Sequence, residues 1–409
     1  MAGQSRRKFL THTLCGCAAG LASLNALAIA PAELTSLVPS NYQPSETDER
    51  GLWHVCDRLE KDIAASNLLI RDQGLNKYLH SVSHRLLEGQ TSDVRIYAMR
   101  DADFNASMFP NGMMIVHSGF LARIRNEAQM AAVLGHEAGH YLRLHSVRRW
   151  RDMKTTSAVM AFVSVAGAGA TLYGGGSWYH LANGINSGLL SSIFSFSREM
   201  ESEADAFGIK LMRQAGYAPH EASAVWSQLI EERKAAAAAR KKKYNDKAAS
   251  AFSTHPPSEE RMGRLKAYAM EMEGRQRGDV PSETRRTEFM AATAPLRASF
   301  IEEQIKLNDP GASLYLLNNL AQDGWDGVLR YYEGETYRLR DEDGDAQRAT
   351  DAYAQAVQLD SAPAEAYRAH GYALIKAGHN ADGRAALNKY LELRPDAADA
   401  AMVRFSSGQ

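Results

Sequence analysis

Cysteine is scarce in this chain: Cys15, Cys17 and Cys56 are its three. Two of them fall in an N-terminal stretch read below as a leader. Cys56 then has no partner in the remainder, so no internal disulfide staples the fold. A metal site built on paired cysteines is excluded by the same inventory, and Cys56 reads as a small buried apolar residue. Nor does one sign of charge dominate. Lys and Arg number 47 against 48 Asp and Glu, a formal net charge of −1, which gives no electrostatic reason to expect nucleic acid as a partner. Past the N-terminus there is no uninterrupted apolar run of about 18 residues, so no strong membrane-spanning helix is predicted. What is present is an ordinary globular balance, 45% apolar and 23% charged over 409 residues, enough for two domains and a sizeable core.

The N-terminus has the layout of an export signal. The basic group Arg6-Arg7-Lys8 precedes an Ala-rich apolar stretch to about Ala30, and the A-x-A sites Ala26-Leu27-Ala28, Ala28-Ile29-Ala30 and Ala30-Pro31-Ala32 follow. Ser5-Arg6-Arg7-Lys8-Phe9-Leu10 resembles the twin-arginine address. Residues 1–32 are therefore predicted to be a signal, and the mature protein is expected in the periplasm. An uncleaved anchor and lipidation at Cys17, after the poor lipobox Leu14-Cys15-Gly16, are the competing readings.

Residues 33–50, rich in Pro, Ser and Thr, read as a loop. Apolar residues at helical spacing from Leu52 to Leu87 predict one or two helices. Val94–Ala98 alternates as a strand, Asp101–Gly112 is turn-rich, and Met113–Val116 is a second strand. Helices are predicted from about Asn126 through Ser146 and from about Ser197 to Ala215, the latter closed by Gly216. Residues 156–172 are apolar and rich in small residues. They read as a buried core helix or as a hairpin touching a membrane, with membrane contact then extending over 156–195. Residues 231–247 read as a solvated helix or, more sharply, as a basic docking face.

The C-terminal third contains an internal repeat. Ala349, Tyr353 and Ala356 recur 34 positions later as Gly383, Leu387 and Tyr390, and Gly334 and Gly371 occupy the matching point of each first helix. Small and aromatic residues at this period resemble the tetratricopeptide repeat, with residues 296–322 supplying a third, degenerate pair. An ordinary helical bundle is the alternative. The predicted organisation is a peptidase-sized domain over 51–270, a linker over 271–295 and a helical repeat domain over 296–409. The fold class is mainly α, in the α+β sense, with one small β-sheet.

His136-Glu137-Ala138-Gly139-His140 carries the chemistry. On a helix, positions four apart lie on one face about 6 Å apart along the axis, so both imidazoles can reach one zinc ion. Glu137 stands about 100° around the helix, where it addresses an attacking water as general base instead of the ion. A surface helix with two solvated histidines is the bland alternative. A catalytic site needs a third ligand and an open fourth position. A third histidine in the H-E-x-x-H-x-x-G-x-x-H pattern is excluded, because Arg143 and Ser146 replace its last two markers and His145 lies one residue off. Ser197 to Gly208 offers Glu199, Glu201 and Glu203 instead. Glu201 and Asp205 share a face, as suits a metal ligand and a carboxylate that accepts the N–H of a metal-bound imidazole. Glu199 and Glu203 read as solvated surface carboxylates.

H-E-x-x-H followed by S-R-x-x-E-x-x-A-D-x-x-G is similar to metallopeptidase family forty-eight, which includes HtpX and the CaaX prenyl proteases. Asn105-Ala106-Ser107-Met108-Phe109-Pro110-Asn111-Gly112-Met113-Met114-Ile115-Val116 resembles that family's N-A-x-x-x-P-x-G-x-I-x-V element. The resemblance implies a gluzincin-like domain, one zinc ion per chain on His136, His140 and Glu201, and Glu137 as catalytic base. It also implies that an extended substrate adds to an exposed strand edge over Asn105, Ala106, Met113, Met114, Ile115 and Val116. A core strand after a turn is the equal alternative there. His255, in Ser253-Thr254-His255-Pro256-Pro257, matches a loop histidine that in BepA-type members of the family can take the fourth zinc position as a gate; a plain surface histidine is the other reading. The leader and repeat tail resemble the same branch. They imply an endopeptidase acting on misfolded or stalled envelope proteins, with outer-membrane assembly machinery docking on the repeats. A periplasmic chaperone or scaffold with a latent or structural zinc site is the rival from another class, and an integral-membrane protease using 156–172 is a second.

Overall fold

The helical run over Leu52–Leu87 folds as two helices, α1 (Thr47–Ala65) and α2 (Gln73–Leu87). The break between them is enforced by Asp72, whose side chain caps α2 by accepting from the Leu75 N–H at 2.8 Å. The computed structural model describes residues 44, 47–88, 93–153, 194–245, 259–274 and 282–408. The leader with Cys15 and Cys17, the stretch 154–193 and His255 lie outside the described residues. Among the described residues no helix is long and apolar enough to cross a membrane.

Three strands form the sheet: β1 (Arg95–Met99), β2 (Ala106–Met108) and β3 (Met113–His117), in the order β1-β3-β2. β3 pairs in parallel with β1, Tyr97 opposite Ile115, and antiparallel with β2, Ser107 opposite Ile115. The exposed edge expected at Met113–Val116 is therefore wrong. These residues form the central strand, hydrogen-bonded on both sides and buried at every position. An unbroken apolar run suits a strand covered on both faces, and alternation shares it between two cores. Met113 and Ile115 pack with Leu52, Cys56, Leu59, Ile63 and Trp150. Met114 and Val116 face the larger cluster with Leu79, Val82, Phe120 and Ala128. β2, within the stretch read as turns, is an outer strand and packs against the helix that carries the H-E-x-x-H motif.

After the short α3 (Ser118–Arg123) comes α4 (Glu127–Leu142), capped by Asn126 accepting from Gln129 N–H at 2.8 Å. α4 is buried all round, as its apolar circumference requires. The single helix expected through Ser146 is broken: Leu144 takes φ +53°, and α5 (His145–Met153) leaves in a new direction. α6 (Arg198–Gln214) ends as predicted on Gly216, at φ +80°, where the Tyr217 N–H reaches back to the Met212 carbonyl at 2.9 Å.

α7 (Glu221–Ala239) and α8 (Glu259–Gly274) flank α6 and α4. The stretch read as a linker contains α9 (Arg286–Thr293), whose Phe289 joins the main core. Phe300 of α10 (Arg297–Lys306) and Leu316 of α11 (Pro310–Leu320) join it too. This pair of helices thus leans on the peptidase-sized region while leading into the tail.

The tail continues with α12 (Gly327–Arg340), α13 (Asp345–Ala356), α14 (Ala364–Lys376), α15 (Asn380–Leu393) and α16 (Ala400–Ser407). α12 packs on α13, and α14 on α15, through the same device. A Cβ on Gly334 would lie 2.3 Å from the Tyr353 ring, and one on Gly371 would lie 2.8 Å from Leu387. Tyr353 and Leu387 are the residues 34 apart in the repeat.

Candidate metal centre

Two helices distant in sequence meet at the site. α4 carries His136, Glu137 and His140; α6 begins at its cap Ser197, whose hydroxyl accepts from the Met200 N–H at 3.3 Å, and brings Glu201 in its first turn. Small residues let the helices approach. A Cβ on Gly139 would stand 3.0 Å from the Ala204 backbone, and one on Gly135 3.1 Å from the Gly208 carbonyl oxygen. The space that Gly139 leaves is filled by the backbone of the helix bearing Glu201.

The three side chains predicted as ligands converge. His136 Nε2 and His140 Nε2 are 3.1 Å apart. Glu201 Oε2 is 3.5 Å from the first and Oε1 is 3.6 Å from the second. Ligand atoms on a tetrahedral ion at about 2.0–2.1 Å stand about 3.3 Å apart, so the donor set and its spacing fit one such ion. Both histidines are buried, and Glu201 is partly open. Glu137 is buried beside them, 3% exposed.

Asp205 meets the first imidazole: its Oδ1 lies 2.8 Å from His136 Nδ1. Accepting the Nδ1–H there leaves the Nε2 lone pair for an ion. Burial alone would raise the Asp205 pKa, but the Arg261 guanidinium and the His136 N–H overcome it and hold the carboxyl well below the usual carboxylate range. Burial, then the nearby Arg261 charge, push His136 down to about 4 against the pull of Asp205 and Glu201, so its imidazole is neutral at pH 7.

Arg261, on α8, was not singled out by any sequence motif. It donates from Nη2 to Asp205 Oδ1 at 2.7 Å, lies 3.7 Å through Nη1 from Glu201 Oε2, and stacks on the Trp226 ring at 4.0 Å. Arg264 adds a second contact to Asp205 at 3.2 Å. Arg261 lies in the first turn of α8, where nothing in the local sequence marks it, and the reach from α8 to α6 is tertiary.

Glu199 is exposed, as expected. Glu203 is not the solvated carboxylate predicted for it. It is 8% exposed, accepts from Arg143 and Arg148, and lies 2.8 Å through Oε2 from His145 Nε2. Those partners come from the α4–α5 turn, which a single-helix reading of 126–146 kept away from it. Hydrogen bonding by His145 outweighs burial and brings the Glu203 carboxyl down to about 2. On the other flank, the Phe196 ring stacks on His140 with centroids 3.9 Å apart.

The profile of peptidase family M48 matches residues 73–269. The chain is similar to mitochondrial metalloendopeptidase OMA1 of Schizosaccharomyces pombe, 35% identical over 43% of this chain and 47% of the relative. It is similar as well to the beta-barrel assembly-enhancing protease of Escherichia coli, 25% identical over 53% of this chain and 43% of the relative. The putative counterpart in Vibrio cholerae is 25% identical over 47% of this chain and 39% of the relative. The chain thus spans less than half the length of each of these curated relatives. Residues 73–269, which hold the histidine pair, Glu201, Asp205 and Arg261, form a domain of peptidase family M48.

Proposed function

We propose that this protein is a zinc-dependent endopeptidase. His136, His140 and Glu201 hold the ion, Glu137 is the general base, and Asp205 fixes the tautomer of His136. The observation that carries this is the convergence of two Nε2 atoms and one carboxylate to within 3.6 Å of one another across α4 and α6. Two neutral imidazoles and one carboxylate are the donor set of hydrolytic zinc sites, and they leave a fourth place open. Bound there, zinc supplies Lewis acidity that polarises a peptide carbonyl and acidifies water. Glu137 takes the proton of the attacking water and returns it to the leaving amine. Arg261 and Asp205 hold the ligand shell rigid in a buried, charge-balanced contact.

An extended substrate pairs with the outer strand β2, Ala106–Met108, which runs beside the helix bearing Glu137. This moves the substrate edge from Met113–Val116 to the segment that begins at Asn105 and Ala106. The names of two of these relatives refer to β-barrel assembly and that of the third to mitochondria. Together with the signal-like N-terminus, the former support periplasmic cleavage of misfolded or stalled envelope proteins. The paired helices from α10 to α15 act in this reading as tetratricopeptide-like docking repeats for client or assembly machinery, and His255 gates the fourth zinc place.

Zinc content of the purified chain, and cleavage of casein, test the reading together. Wild type binds one zinc and cleaves; Glu137→Gln keeps the zinc and loses at least about 10²-fold in rate; Glu201→Ala loses the zinc. A Glu137→Gln chain that cleaves like wild type sinks the assignment.

A further inference from the structure

A third imidazole stands behind the histidine pair. His145 follows directly on Leu144, whose φ of +53° turns the chain out of α4. Such a conformation is disfavoured for a residue with a Cβ, and here it sets the His145 ring against His140. His145 is 0% exposed. Its Nδ1 lies 2.8 Å from His140 Nδ1, and its Nε2 lies 2.8 Å from Glu203 Oε2. The two rings meet edge to face, 74° apart.

For a neutral His145, proton accounting leaves one arrangement. Glu203, paired with Arg143 and Arg148, is an acceptor only. His145 Nε2 must then carry a proton, which leaves its Nδ1 as a lone pair. His140 Nδ1 must donate to that lone pair, which leaves the His140 Nε2 lone pair aimed at His136 and Glu201. The reverse order would set a lone pair of His145 against a carboxylate and place a proton where a metal ion needs electrons. The carboxylate on α6 therefore selects the tautomer of His140 two links away.

We propose that His145 and Glu203 are positioning residues for the metal. They fix the tautomer and ring plane of His140 as Asp205 does for His136, so that each histidine ligand is oriented by a buried carboxylate from α6, one directly and one through a bridging imidazole. Asp205 and Glu203 reach opposite ends of the pair, and Glu201, from the same helix, meets both Nε2 atoms. This rests on the zinc reading of His140 above.

The test is zinc affinity of the full chain, read by competition with a chromophoric chelator, for wild type, H145F and H145N. Phe keeps a ring and removes both nitrogens. Asn places a carbonyl oxygen near the position of Nδ1 and so keeps the acceptor for His140. H145F is expected to weaken zinc binding by about 10- to 100-fold, with H145N recovering most of the loss; a purely structural role gives no such rescue. Wild-type affinity in H145F overturns the proposal, and so does an H145N no tighter than H145F. If H145F is unfolded by circular dichroism, E203Q carries the measurement: a loss of at least about threefold supports the relay, and wild-type affinity overturns it. A wild-type chain that takes up no zinc brings down the metal reading itself, whereas zinc-binding wild type with an indifferent H145F removes the relay alone.

Discussion

Gly208 of α6 lies so close to His136 of α4 that a Cβ on it would stand 2.8 Å from the His136 backbone nitrogen. The contact sets the spacing of the two helices at the first histidine of the pair. Backbone atoms are on both sides, so no flexible side chain can yield. Gly208→Ala is expected to push α6 outward and cost about 1–3 kcal/mol in stability. It should also weaken zinc binding, since Glu201 moves with its helix. Thermal melting and chelator competition check both; an Ala variant with unchanged zinc affinity would show that the close approach is incidental to the site.

Asp205 and Arg261 form a buried pair, 2.7 Å apart, with Arg261 otherwise over Trp226 and beside Glu201. Removing one charge strands the other in a low-dielectric site. Asp205→Asn is expected to destabilise the chain by about 3–5 kcal/mol and to loosen zinc by about 10- to 100-fold. Arg261→Met with Asp205→Asn should recover part of the stability but not the zinc affinity. Urea denaturation of the four-member cycle gives the coupling, and additive effects would refute it.

Glu60 of α1 accepts from Arg95 Nε and Nη2, each at 2.6 Å, from Tyr97 at 2.9 Å and from Asn111 at 3.0 Å. It ties α1 to β1 and to the turn before β3. Burial would raise its pKa, yet these donors lower it from the ordinary 4.5. A carboxyl depressed in the folded state contributes stability that is fully present above its unfolded pKa and is lost as pH falls through the folded value. Wild type should therefore lose stability below pH 4.5 more steeply than Glu60→Gln. The variant should itself be less stable by about 1–3 kcal/mol at pH 7. Parallel pH profiles for the two chains would remove Glu60 from the account.

If His255 gates the fourth place on zinc, His255→Ala should raise basal casein cleavage several-fold while zinc content stays at one per chain. Unchanged cleavage would reduce His255 to a loop residue.

The local part of the site was legible before any coordinates. H-E-x-x-H declares itself because four residues along a helix return to the same face. Glu201 and Asp205 declare themselves by the same spacing, and both reach the imidazoles. Cys56 is buried, as an unpaired apolar cysteine should be. The errors share a cause. Met113–Val116 has the composition of a strand, but its place in the middle of the sheet depends on β2, a three-residue strand with no alternating signal. Glu203 looks like any exposed helical carboxylate until Leu144 bends the chain and brings Arg143, His145 and Arg148 onto it. Arg261 belongs to no motif because its partners lie on α6 and α7.

By itself the sequence determined which side chains could serve chemistry and which face of its helix each occupies, since helical periodicity is a property of neighbours along the chain. Tertiary structure alone decided which helix met which, which strand became central, and which carboxylate met which imidazole. Those choices rest on backbone contacts between glycines 73 positions apart, Gly135 and Gly208, and on buried charges that find partners only once the cores have closed.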